Sequence, residues 1–256
     1  MTRKRRIKIS KGIYVIPNLF TTGNLFCGFL AIISIFKGKP FLGAVAILIA
    51  VGFDQLDGKI ARLTGASSRF GIEYDSLADL VSFGVAPALL IYYWALEGFG
   101  RLGWLATFLF VACGALRLAR FNVQTATADP KYYRGLPIPA AATFIALTVL
   151  LYHRLGEKLT TEQIAVLVMV YVLSFLMVSN IRYHSFKELE LIRRKPFSVL
   201  VFVVSSIVVI VAEPEIMLFL FSFAYVLLGP LALLYRWRRV KAPKAIPDEK
   251  PDTVQG

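Results

Sequence analysis

Asp54 and Asp57 lie three residues apart, Asp75 and Asp79 lie four apart, and all four interrupt otherwise apolar stretches of this 256-residue chain. In a helix both spacings put a pair of side chains on one face. Carboxylates are expensive in a membrane-spanning segment and persist there mainly where they have work to do. Two facing pairs offer the oxygen ligands that hard divalent cations such as Mg²⁺ or Mn²⁺ take. Without such cations four clustered carboxylates repel one another. The plainer alternative is a set of interfacial charges at helix ends, neutralised by Lys59, Arg62 and Arg69.

The elements that must carry these residues are membrane helices. The chain is 57% hydrophobic, whereas a soluble domain is usually about 45–50% apolar. The excess lies in long runs such as Phe41–Phe53, Val199–Ala212 and Ile216–Leu228. A spanning helix needs about 20 apolar residues. On that measure the sequence predicts eight, over 17–36, 40–62, 74–97, 102–124, 137–154, 162–182, 197–212 and 215–235. The expected fold class is therefore an all-α integral membrane protein, a polytopic helical bundle. Glu213-Pro214-Glu215 makes the last two spans a tight hairpin. The basic start, Thr2-Arg3-Lys4-Arg5-Arg6, resembles a signal peptide. The apolar run from Ile13 to Phe36 is longer than a signal core and ends in no small-x-small site, so it reads as the first span. Cys27 and Cys113 sit alone in apolar segments and imply neither disulfide nor thiolate site. His153 and His184 are isolated.

The formal net charge of +13 fits topology and anionic lipid rather than nucleic acid. With the N-terminus inside, only Lys37, Lys39, Arg101, Arg154 and Lys158 of the 29 basic residues fall in outside loops, and the other 24 are cytoplasmic. That asymmetry supports eight spans with both termini cytoplasmic. It also places all four aspartates at the cytoplasmic face, slightly inside the bilayer.

Gly58 and Ala61 are small, so a ligand or another helix can approach the backbone beside the aspartates. Arg62 can hold a phosphate by charge-assisted hydrogen bonds or snorkel to the interface. The run Asp54-x-x-Asp57-Gly58-x-x-Ala61-Arg62-x(8)-Gly71-x-x-x-Asp75-x-x-x-Asp79 resembles the full signature of the CDP-alcohol phosphatidyltransferases at every fixed position. That resemblance implies two divalent cations, Mg²⁺ or Mn²⁺, held by Asp54, Asp57, Asp75 and Asp79. It implies a CDP pocket that includes Gly58, Ala61, Arg62 and Gly71, with Asp79 as general base. Members of the family move a phosphatidyl or phosphoalcohol group to a hydroxyl and release CMP.

Further segments are similar to the branch of that family that uses L-serine, the membrane-integral phosphatidylserine synthases. They are Pro17-Asn18-Leu19-Phe20-Thr21, Ser82 to Pro87, Gly114 to Asn122, Gly135 to Pro139 and Ser179 to Tyr183. Asn18 and Thr21 either cap the first helix or reach a donor phosphate. Pro137 and Pro139 can simply start a helix after Gly135. Arg117, Arg120 and Asn122 share the cytoplasmic end of the fourth helix and are candidates to bind the serine carboxylate, or positive-inside anchors. The expected reaction is phosphatidyl transfer from CDP-diacylglycerol to L-serine at the cytoplasmic face of the cell membrane. The alternatives are another acceptor (glycerol 3-phosphate or inositol), an archaeal ether-lipid donor, or a metal-dependent transporter. The expected organisation is a basic segment at 1–12, a catalytic core at 13–190, an added hairpin at 191–240 and a disordered tail at 241–256. The family further suggests a homodimer.

Overall fold

The computed structural model describes residues 15–64, 68–124, 132–156, 163–184, 201, 204–206, 208 and 211–240. The architecture is helical. It comprises α1 (Val15–Phe36), α2 (Pro40–Thr64), a long composite helix α3 spanning 69–99, α4 (Arg101–Gln124), α5 (Ile138–Arg154), α6 (Gln163–Val178) and α7 (Pro214–Val240). Five of these are long and apolar enough to cross a membrane: α1, α2, α3, α4 and α7. α5 and α6 are shorter apolar helices. The seventh expected span, 197–212, falls largely outside the described residues, as do the segments 1–12 and 241–256.

α1 and α2 pack along each other, and α5 is the centre of the bundle, against α2 on one side and α7 on another. A 17-residue helix is only roughly 26 Å long. α5 is nonetheless buried over most of its length, from Ile138 through Phe144 to Leu150. Neighbouring helices enclose it, so α5 is packed as a core helix of the bundle. Phe144 stacks on Phe219 and Phe223, which fastens α7 to the core. At the α5 end nearby, Arg154 pairs with Glu215 at 2.8 Å and also with Glu213. Pro214 opens α7, where its missing N–H costs nothing.

Several features differ from the sequence expectation, and α7 runs on to Val240 rather than ending at 235. α3 begins at Arg69 rather than near 74, because Ser68 caps it: the Gly71 amide donates to Ser68 Oγ at 2.9 Å. A polar first turn with a good cap carries no apolar signal. α3 is also not one uniform α-helix, since Leu80–Val85 and Tyr92–Leu96 are π-helical. Finally α6 stops at Val178 rather than 182. The chain then enters a short strand, β2 (Arg182–His184), antiparallel to β1 (Tyr132–Arg134), a small pairing at the margin of an all-helical architecture. Gly135 makes that junction possible. It sits at φ +79°, and a Cβ there would lie 2.2 Å from the Met177 carbonyl oxygen. Its amide donates to Ile181 O, and the next amide, Leu136, donates to Leu176 O.

Candidate active site

The last turns of α2 and the first turns of α3 meet at one end of the bundle, beside the start of α1. One carboxylate oxygen from each of Asp54, Asp57 and Asp75 lies within 4.8 Å of the other two. Charges at that separation repel by at least about 3.5 kcal/mol per pair at an effective dielectric of about 20. Neither Lys59 nor Arg69 forms an ion pair with them among the described residues, which removes two of the three neutralising partners the plainer reading needs. Asp75 Oδ1 is buried with no hydrogen-bond partner. Oxygens on opposite sides of one Mg²⁺ are about 4.2 Å apart, and paired catalytic ions are about 3.5–4 Å apart. The trio's spread suits either arrangement, and the orphaned buried oxygen supplies a ligand atom that nothing else uses. These residues fit a hard cation.

Asp79 stands outside that trio. It follows Asp75 by one turn of α3 and is buried. Its Oδ1 accepts a hydrogen bond from Asn24 Nδ2 at 2.9 Å, across from α1. Asp57 is tied to α1 as well: Thr21 Oγ1 lies 3.0 Å from Asp57 Oδ2 and 3.2 Å from the Pro17 carbonyl, between which its single proton is shared. Thr21 and Asn18 thus lie within α1 and cap nothing.

A cleft opens beside the carboxylates. Its wall includes Asn18 and Thr21 of α1, Asp57, Gly58 and Ala61 of α2, and Ser68, Gly71 and Asp75 at the start of α3. A Cβ on Gly58 would meet nothing within 4 Å, so that glycine faces open space. One on Gly71 would come within 3.3 Å of Asn18 Oδ1, so that glycine marks the close approach of α3 to α1. The Arg62 side chain lies outside the described residues.

Of the three residues expected to bind an amino-acid carboxylate, Arg120 and Asn122 make hydrogen bonds to different helices. Arg117 is buried in α4. Arg120 reaches across to α6, donating to the Val178 carbonyl at 3.3 Å and to Asn180 Oδ1. Asn122 turns to α3, where it exchanges hydrogen bonds with Ser76 at 2.9 and 3.3 Å and reaches Glu73 at 3.4 Å. Ser76 adjoins Asp75, so Asn122 stands within one residue of the carboxylate cluster.

Sequence comparison agrees with this geometry. The family model for CDP-alcohol phosphatidyltransferase matches residues 14–178. The chain belongs to the CDP-alcohol phosphatidyltransferase family. That match covers α1 to α6, and so every element that contributes to the carboxylate cluster and its cleft. Among similar proteins is a CDP-diacylglycerol–serine O-phosphatidyltransferase of Helicobacter pylori, 45% identical over 181 residues, covering 70% of this chain and 75% of that protein. An archaetidylserine synthase of Methanothermobacter thermautotrophicus is 41% identical over 170 residues, 66% of this chain and 69% of that protein. A CDP-diacylglycerol–serine O-phosphatidyltransferase of Bacillus subtilis is 35% identical over 173 residues, 68% of this chain and 92% of that protein.

Sequence reading singled out neither Asn24 nor Ser68. Ser68 had a usable signal, a serine three residues ahead of Gly71 at the start of a polar turn. Asn24 had a weaker one: it continues the three-residue spacing of Asn18 and Thr21 along an apolar helix.

Proposed function

We propose that this protein is a phosphatidylserine synthase, moving the phosphatidyl group of CDP-diacylglycerol to the hydroxyl of L-serine with release of CMP. The observation that carries the reading is the convergence of Asp54, Asp57 and Asp75 beside a cleft lined by Asn18, Thr21, Gly58, Ala61 and Gly71. The proteins most usefully compared with it act, by name, on CDP-diacylglycerol and serine.

In this reading Asp54, Asp57, Asp75 and Asp79 hold two divalent cations, Mg²⁺ or Mn²⁺. Bound there, the cations supply positive charge against the diphosphate of the donor. Thr21 holds Asp57 in place from α1. The open backbone at Gly58 admits the CDP moiety, with Asn18, Ala61, Arg62 and Gly71 completing its pocket. Asp79 accepts the proton of the serine hydroxyl as it attacks phosphorus. His153 packs on Phe41, roughly 20 Å along α2 from Asp54, and cannot activate a nucleophile at the site. Direct displacement with inversion at phosphorus is the step this reading assigns. Arg117, Arg120 and Asn122 bind the serine carboxylate.

The same reading gives the chain eight spans in the cell membrane, both termini and the active site on the cytoplasmic side, supported by the distribution of the 29 basic residues. The catalytic core is 13–190 and the hairpin at 191–240 is an addition to it. A homodimer rests on the family resemblance alone.

Purified protein incubated with CDP-diacylglycerol, Mn²⁺ and, in parallel, labelled L-serine, glycerol 3-phosphate and inositol tests the assignment. Phosphatidylserine and CMP should form together, and only with serine. A glycerophosphate or inositol lipid would overturn the acceptor; transport into vesicles without CMP would overturn the enzyme class. The archaetidylserine synthase among the similar proteins motivates a second donor arm with an ether-linked CDP lipid, whose preferential use would replace CDP-diacylglycerol.

A further inference from the structure

Asn24 is wholly buried in α1; its side-chain nitrogen goes to one carboxylate, while its Oδ1 is buried without a hydrogen-bond partner. Nδ2 donates to Asp79 Oδ1 at 2.9 Å. The backbone of the same residue is used too. Ser82, also wholly buried, donates from Oγ to the Asn24 carbonyl at 3.0 Å. Ser82 lies in the π-helical segment Leu80–Val85 that begins at the residue after Asp79. Gly28, one turn beyond Asn24, permits the contact: a Cβ there would fall 2.3 Å from Ser82 Oγ and 2.7 Å from its Cα. The helices therefore touch backbone to side chain at the level of Asp79, and the touch is made by polar groups in an apolar bundle. Short π-helical insertions are frequent at functional sites because they re-aim side chains that a regular helix would turn elsewhere.

We infer that Asn24 is a positioning residue for Asp79, clamped in turn by Ser82 across Gly28, and that it fixes which carboxylate oxygen takes the acceptor's proton. The inference rests on the proposed role of Asp79. An isolated carboxylate on a helix rotates about two bonds. With Oδ1 held by an amide donor from another helix, rotation is restrained and Oδ2 is left for the cation site and the reacting hydroxyl. Proton transfer requires hydrogen-bond reach in a defined direction, and small misplacements of a reacting group cost up to about a hundredfold in rate. Neither Asn24 nor Ser82 lies in the donor cleft, so this clamp should govern the chemical step and leave donor binding alone.

The test compares full-length Asn24→Ala, Asn24→Asp and Ser82→Ala with the parent in detergent. Three quantities are read: kcat, KM for CDP-diacylglycerol, and the rise in unfolding temperature on adding Mn²⁺ alone. Asn24→Ala should lower kcat roughly tenfold to a hundredfold, with KM for CDP-diacylglycerol within about twofold of the parent and the Mn²⁺-induced rise retained. Asn24→Asp keeps the shape but sets a second carboxylate against Asp79, so it should lower kcat further. Ser82→Ala removes only the outer contact and should fall between Asn24→Ala and the parent. A kcat within about twofold of the parent in both Asn24 variants would overturn the inference. Loss of the Mn²⁺-induced rise in Asn24→Ala together with a raised donor KM would also overturn it, making Asn24 a support of the whole site. The parent's own products judge the proposed function separately. The variant-to-parent ratio is taken with whichever alcohol the parent uses, so a different acceptor would sink the serine assignment and leave this comparison intact.

Discussion

Three carboxylates from two helices within 4.8 Å of one another are a poor arrangement unless something positive joins them. Replacing one should therefore separate folding from metal binding. Asp75→Asn keeps the volume and removes the charge at the residue whose Oδ1 is buried without a partner. It should fold, lose the Mn²⁺-induced rise in unfolding temperature, and lose roughly a hundredfold or more of turnover. Retained Mn²⁺ stabilisation with full activity would show that the cluster is not the metal site. The acceptor side divides differently. Arg120 already serves the end of α6 through Val178 and Asn180, so its removal should disturb that joint as well as any bound carboxylate. Arg117, buried in α4, is the second probe. Loss of a charge-assisted hydrogen bond costs about 1.5–3 kcal/mol, or roughly tenfold to a hundredfold in affinity. Arg117→Ala should raise KM for serine by that factor while KM for CDP-diacylglycerol stays within about twofold. Parallel increases in both constants would mark Arg117 as structural.

Helices are where the structure asks most of particular glycines. Gly135 turns the chain from β1 into α5 at a positive φ, against the Met177 carbonyl. Any side chain there meets the left-handed penalty of about 1–2 kcal/mol before the overlap is counted. Gly52 lies inside α2, and a methyl group placed on its Cα would meet nothing within 4 Å. Alanine is the better helix former by about 0.5–1 kcal/mol. Thermal unfolding in detergent should thus show Gly135→Ala clearly less stable than the parent and Gly52→Ala equal or better. Equal losses at both would contradict this account of the junction. The contrast also explains what was legible in the sequence. Helix positions were, because long apolar runs between charged loops have few other uses, and α1, α2, α4 and α5 begin and end within two residues of expectation. The approach of Asp54, Asp57 and Asp75 was, because spacing along a helix determines which side chains share a face, though Asp79 stands outside that trio. The β1–β2 pair was not, since three-residue strands of Tyr, Arg and His have no periodicity to detect. The π-helical turns of α3 were not either, because a change of one residue per turn alters no composition. Asn24 was missed for a related reason: a single asparagine in an apolar run looks the same whether it faces a neighbouring backbone or the carboxylate of Asp79.

At the scale of the whole molecule the decisive question is which side of the membrane the carboxylates face. The cluster sits where α2 ends and α3 begins, and α4 ends at the same level, since Asn122 reaches Ser76. The turn between α3 and α4, around 97–101, must then lie at the opposite end of the bundle, because α3 and α4 each traverse it once. That geometry holds for either orientation. The proposed orientation comes from charge: Lys37, Lys39, Arg101, Arg154 and Lys158 are the basic residues assigned outside, and the other 24 of 29 inside. Basic loops are retained in the cytoplasm, and a cytoplasmic site faces the water-soluble acceptor and CMP. A single cysteine reports the answer. The two native thiols, Cys27 and Cys113, are buried and are replaced by alanine in the test chain. A cysteine at the exposed Gly98 should then react with an impermeant maleimide added to intact cells. One introduced at position 127, in the 126–132 connection, should react only after the cells are opened. The reverse pattern would put the aspartates on the outer face, away from the cytoplasmic supply of serine, and would overturn the proposed function together with the orientation.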